Sequence, residues 1–261
     1  MNATPSRIVF QPVIDTDTGM AIARQARIIE ADLDLASGDR HRRRFDAMLA
    51  AAAAAGYAKA DARIAVPMVA EGDSGRQVAA LFRAALAHGF RTTQLILEVR
   101  VGTHDDLGAA AELIDTCTAR GMEVAFDAFS PGPAQIRLLA RHTPRYVKLD
   151  VALTRNIDRS TTRQLILEGA VRVARTMGAT LIAQDIATSG ELSTLYALGI
   201  RHLQSHWIAR AMQEPAARVA PRREPRVVHV THRRLTGHDR HQPALPAAAP
   251  VAEIRRQALA G

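Results

Sequence analysis

The run Leu95-Ile96-Leu97-Glu98-Val99-Arg100, followed by Val124-Ala125-Phe126-Asp127-Ala128-Phe129 and Tyr146-Val147-Lys148-Leu149-Asp150, decides the fold. Each run is short, apolar and rich in β-branched or aromatic residues. Each leads into a helix-like stretch. Apolar strands alternating with helices indicate βα units and a mostly parallel sheet, because such strands are covered on both faces. Glu98, Asp127, Lys148 and, further on, Gln204 stand at the C-terminal ends of their runs. That is where a (β/α) barrel presents its site.

Working outward, eight strand-like runs can be marked: Arg7–Ile14, Met20–Ile28, Ala62–Val69, Gln94–Arg100, Glu123–Phe129, Tyr146–Asp150, Thr180–Ile186 and His202–Ile208. The turn-forming Asp15-Thr16-Asp17-Thr18-Gly19 joins the first two as an antiparallel hairpin. Helices are expected at Asp39–Ala55, Ser74–His88, from Thr103 as cap to Arg120, from Pro133, and from Ser160 to Met177 before Gly178. Thr188 and Glu191 have capping-box spacing ahead of a last helix that stops at Gly199. The predicted fold is an α/β, TIM-like barrel over residues 1–212, with one antiparallel strand at its start. Residues 213–261, punctuated by Pro215, Pro221, Pro225, Pro243, Pro246 and Pro250, read as a flexible Arg/Pro/Ala-rich tail. Arg226–Thr231 could add an edge strand there, and Val251–Ala260 a short helix.

Composition narrows the function. The 261 residues suit one large core, and no apolar run reaches the roughly 20 residues a bilayer demands. The N-terminus lacks the apolar segment of a signal peptide, so a cytoplasmic protein is expected. Cys117, alone of its kind, reads as buried packing. The formal charge is +8, but from Gln213 onward nine Arg stand against four Asp or Glu, which places +5 in the tail. A broad nucleic-acid surface on the barrel is therefore not expected. Arg40, Arg42, Arg43 and Arg44 crowd the start of one helix against its dipole, as a solvated face or as a docking patch for an acidic partner.

With the strands placed, the chain from Arg7 to Met212 resembles the EAL domain family, bacterial phosphodiesterases that open the cyclic dinucleotide c-di-GMP. Phe10-Gln11-Pro12-Val13-Ile14-Asp15 with Gly19 is similar to the family's opening strand and turn. Leu95–Val99 is similar to its "LELTE" strand, Val124–Phe129 to "ALDDF", and Tyr146–Asp150 to "LKID". Leu181–Ala187 stands where "VVAEGVE" is expected, and Leu203-Gln204-Ser205-His206 where "VQGY" is expected. The resemblance implies two divalent metals held by carboxylates and an amide at the strand ends. These would activate a water for in-line attack, with a lysine helping to position it.

Position by position, the chain departs from that pattern. The signature glutamate falls on Gln25, the metal-binding asparagine on Pro67 and the second aspartate of the pair on Ala128. The seventh-strand glutamate falls on Gln184 and the one after it on Ala187. Glu98, Asp127, Lys148 and Gln204 remain, and two carboxylates and an amide fall short of what two hard cations require. No metal is therefore expected, Mg²⁺ or Mn²⁺ belonging only to an intact family site. Phe129-Ser130-Pro131-Gly132 replaces the family's Gly-Thr-Gly turn, which bears on metal response and dimerisation alike.

Bland roles are open to each survivor. Asp127 and Lys148 could form a barrel-mouth ion pair, Glu98 could pair with Lys148 or Arg100, and Gln204 could satisfy backbone groups. His202 and His206, on one face of a strand, make a weak metal signal. Trp207 reads as core. The expectation is a catalytically inactive EAL-like regulatory protein, a pseudoenzyme acting through a protein partner. The alternatives are a non-hydrolysing c-di-GMP receptor, with Gln11, Arg27 and Lys148 as ligand contacts, and a residual phosphodiesterase. Strand alternation puts Gln25 and Arg27 on one face but leaves open whether Arg27 reaches the mouth. A homodimer also remains open.

Overall fold

The computed structural model describes residues 7–30, 40–70 and 72–205. The expected tail elements, His206 and Trp207 lie outside the described residues, as do the side chains of Arg7, Glu30 and Arg40. The strands are β1 (Arg7–Asp15), β2 (Ala21–Glu30), β3 (Ile64–Met68), β4 (Leu95–Arg100), β5 (Glu123–Phe129), β6 (Tyr146–Leu149), β7 (Thr180–Gln184) and β8 (His202–Gln204). They close into a barrel in sequence order. β1 runs antiparallel to both β2 and β8, and every other neighbouring pair is parallel.

Helices fill the crossovers: α1 (Arg40–Ala54), α2 (Ser74–Ala87), α3 (Leu107–Thr118), α4 (Pro133–His142), the single turn α5 (Val151–Thr154), α6 (Thr161–Met177) and α7 (Ser189–Ala197). Their ends follow local chemistry. Asp73 caps α2, Ser160 caps α6, and Pro133 opens α4 at a position whose N–H has no helical partner. Gly178 closes α6 at φ 69°. Glycine adopts that left-handed conformation without a Cβ penalty. Thr188 and Glu191 form the expected capping box of α7. One cap differs from expectation: Asp106, rather than Thr103, accepts from the Gly108 and Ala109 N–H groups, and α3 starts at Leu107. The nearby Asp105 is drawn instead to the Gly102 N–H and toward Arg100.

Most of the core lies between barrel and helices, with Cys117 fully buried in it. Desolvation pushes its thiol up to about 12. A second apolar cluster sits inside the barrel: Val13, Ala23, Ala65, Ile96, Ala125, Tyr146 and Ile182. Its small members leave space for the large ones, and together they form a floor for whatever lies above. Pro67 is tolerated within β3 because the register with β2 ends at Ala65, so the missing N–H falls where the two strands have parted.

Candidate functional site

One step of two residues along each strand leads from this floor to the next inward position. The step reaches Gln11 on β1, Gln25 on β2, Pro67 on β3, Glu98 on β4, Asp127 on β5, Lys148 on β6, Gln184 on β7 and Gln204 on β8. Each strand contributes one residue, and Pro67 alone brings no polar side chain. The registers agree: Gln11 faces Gln25, Pro67 faces Glu98, and Gln184 faces Gln204.

The seven polar side chains bond chiefly to one another. Gln204 Nε2 donates to Gln25 Oε1 at 2.6 Å and to Gln11 Oε1 at 3.3 Å. Gln25 Nε2 in turn donates to Glu98 Oε2, and Lys148 Nζ donates to Glu98 Oε1 at 2.9 Å. Lys148 Nζ also stands 3.8 Å from Asp127 Oδ1, which accepts from Gln184 Nε2 at 3.0 Å. Gln184 closes the series on the Leu149 carbonyl at 3.1 Å.

Lys148 is wholly buried and Glu98 is 3% exposed. This ion pair is therefore desolvated at substantial cost and depends on its hydrogen bonds. Burial pushes the Glu98 carboxyl above its ordinary value, Lys148 opposes that shift, and the charge of Asp127 adds to it. Two atoms remain outside the network: Gln11 Nε2 and Gln204 Oε1 are buried without a hydrogen-bond partner among the described residues.

Arg27 lies one further step up β2, is exposed, and donates from its guanidinium to Gln11 Oε1 at 3.2 Å. It therefore reaches the mouth, which alternation alone left open. Ala128 and Ala187 are not in the ring. Ala128 sits at φ 54° beside a register irregularity of β5. That left-handed conformation costs a non-glycine residue roughly 1–2 kcal/mol. The Ala187 N–H donates to Glu191 Oε2 at 2.7 Å. Glu191 also accepts from the Asn156 N–H, tying the β7–α7 loop to the segment between α5 and α6. The capping-box pattern revealed Glu191, but no sequence signal pointed to its bond with Asn156.

One expectation is corrected and one open alternative is decided. Gln204 bonds the side-chain amides of Gln11 and Gln25 rather than backbone groups, because their paired strands bring all three to one height. Glu98 pairs with Lys148 and not with Arg100, whose side chain lies one layer higher, 3.6 Å from Asp105. His202 lies in the floor layer. Burial holds its imidazole below the ordinary value, against the pull of Asp15 and Asp17.

The family model of the EAL domain matches residues 4–211. The chain belongs to the EAL domain family. Among curated relatives, the blue light- and temperature-regulated antirepressor BluF of Escherichia coli is 32% identical over 101 residues, covering 39% of this chain and 25% of BluF. The probable cyclic di-GMP phosphodiesterase PdeN of E. coli is 25% identical over 126 residues, covering 48% of this chain and 24% of PdeN. The match thus spans about a quarter of the length of each of these relatives. Among solved structures, Klebsiella pneumoniae BlrP1 in a calcium/cyclic di-GMP complex superposes with a TM-score of 0.67 at 25% identity, covering 78% of this chain and 55% of that one.

In this EAL domain, no group of three or more His, Cys, Asp or Glu among the described residues is placed to hold a metal ion. No helix among them is long and apolar enough to cross a membrane.

Proposed function

We propose that this EAL domain is a regulatory protein that acts through contacts with another protein and does not hydrolyse cyclic dinucleotides. The observation that carries this reading is the bonding within the ring. Two divalent cations would need several oxygen ligands each, and the mouth supplies two carboxylates. Both oxygens of Glu98 already accept hydrogen bonds, one of them from a buried ammonium. Asp127 is engaged by Gln184, and Pro67 brings no ligand atom. These residues do not fit a two-metal centre. Lys148 offsets Glu98 and Asp127 where the family resemblance implies a metal charge. The antirepressor function in BluF's name supports a regulatory role.

A second reading, retention of the dinucleotide as a ligand, is favoured by one specific observation. Gln11 Nε2 is buried and unpartnered among the described residues beneath an exposed Arg27, so a donor and a cation converge on the mouth. BlrP1, to which the barrel is similar, was solved as a complex with cyclic di-GMP. Calorimetric titration with c-di-GMP in Mg²⁺ and then in EDTA, with chromatography for a linear product, separates the readings. The expected result is no product in either buffer. Metal-dependent product would overturn the proposal, and metal-independent binding without product would establish the receptor reading.

A further inference from the structure

At the end of the barrel opposite the ring, a cavity of about 200 Å³ lies between the last turn of α6, the start of β7 and the turn from α7 into β8. Its polar lining residues are Arg175, Thr180, Arg201 and His202, and no Asp or Glu lines it among the described residues. Val171, Ala174 and Ile200 supply an apolar wall. The volume falls below the roughly 300 Å³ at which pockets for drug-sized ligands begin. It admits a small anion and is too small for a dinucleotide.

The two arginines differ. Arg201 is spent: its guanidinium lies 3.7 Å above the centre of the Tyr196 ring, donates to the Tyr196 carbonyl and stands 3.5 Å from Asp17. No hydrogen bond or ion pair engages the Arg175 guanidinium among the described residues. Its place in the last turn of α6 suits the negative end of the helix dipole, but that end amounts to roughly half a charge. The carbonyls of Ala174 and Arg175 there already accept from the N–H groups of Gly178 and Ala179. The acids whose charge acts on His202 face other partners. Asp15 accepts from the Asp17 N–H and the Thr18 hydroxyl, and Asp17 from the Tyr196 hydroxyl. Arg175 is also held in place by shape. A Cβ at residue 199 would stand 2.6 Å from Arg175 Nη2, so the bare turn of Gly199 lets the guanidinium lie directly against it. The Thr180 hydroxyl and the His202 ring likewise make no hydrogen bond among the described residues. A guanidinium fork, a hydroxyl and an imidazole N–H are the donors that a tetrahedral oxyanion accepts from.

We propose that this cavity binds a small free oxyanion of the phosphate class, with Arg175 as its principal donor and Thr180 and His202 as further donors. The site is independent of both readings of the barrel mouth. The test titrates the full chain with inorganic phosphate by calorimetry, at constant ionic strength near neutral pH, with acetate in parallel. Saturable phosphate binding is expected, weakened at least about tenfold in R175Q, which removes charge-assisted hydrogen bonds. R175K keeps the charge without the fork and should fall between the two. R83Q removes the same charge from an exposed position of α2 and should bind as the wild type does. Arg175 is exposed, so thermal unfolding of its variants should match the wild type; if R175Q unfolds early, R175K and T180V carry the test, each expected to weaken binding. Absence of saturable phosphate binding overturns the proposal. So does equal binding by R175Q, or an equal loss in R83Q, which would mark general screening of a basic chain. Tighter binding of acetate than of phosphate through Arg175 also overturns it, in favour of a carboxylate.

Discussion

Two layers inside the barrel are built from the same strands and differ by a single step of two residues. The lower, from Val13 to Ile182, is apolar and holds together by shape. The upper, from Gln11 to Gln204, holds together by directed bonds between an ammonium, two carboxylates and four amides. A layer held by shape loses stability in proportion to the volume removed. A layer held by charge loses most when one partner leaves and the others stay. The ring is thus a structural commitment, and its residues cannot be exchanged singly without cost.

The sharpest way to break the contrast is Lys148→Met. Removing the buried cation strands Glu98 and Asp127, and a loss of about 3–5 kcal/mol is expected in urea unfolding. Adding Glu98→Gln to that variant should recover part of the loss, since the stranded charge goes with it. Next in size is Gln25→Glu, which replaces the amide donating to Glu98 with a second carboxylate. It should cost about 1–3 kcal/mol near neutral pH. The cost should shrink in acid, where the two carboxylates share a proton. Neither Mg²⁺ nor Mn²⁺ should bring turnover of c-di-GMP in this variant, and product on chromatography would refute the account of the mouth. In the floor, Ile96→Val should cost only about 0.5–1.5 kcal/mol, the ordinary loss for one buried methylene.

The smallest effect belongs to His202, the imidazole at the level of the floor. Its folded-state pKa is depressed, so the unfolded chain binds the proton more readily. Its contribution is complete above about pH 6.5 and is lost as pH falls through the folded value. His202→Leu should flatten that part of the stability curve, with solvent screening holding the change below about 1 kcal/mol. An unchanged slope would assign the pH dependence elsewhere.

Glu98, Asp127, Lys148 and Gln204 were legible because the strand-end rule picks them out, and Gln25, Pro67 and Gln184 because the family resemblance aligns them, though it also pointed to Ala128 and Ala187, which lie outside the ring. How they bond was not. Three glutamines and a glutamate can be joined in several ways, and the choice depends on relative strand height and amide orientation, which no period in the sequence encodes. The reach of Arg27 was hidden for the same reason: alternation gives a face but not a height. Asp106 displaced Thr103 as a cap because Thr103, Asp105 and Asp106 all stand ahead of α3, and only the geometry of the β4–α3 loop decides between them. The turn α5 and the 3₁₀ segment Ile157–Arg159 went unpredicted, being too short for any periodicity to register.

The parting of β2 from β3 has a kinetic consequence. These strands share two register pairs, Arg24 with Ile64 and Gln25 with Ala65, whereas β1 and β2 share eight. Pro67 adds no donor above them. Only the β1–β8 seam is as short, also with two pairs, and Gln25, the ring's link between Gln204 and Glu98, sits on the β2–β3 edge. Solvent hydrogen should therefore reach the backbone of residues 64–66 sooner than that of β4 or β5. Proton traffic to the buried Lys148–Glu98 pair would then keep time with the opening of this seam and not with the much faster collisions of acid and base in bulk water.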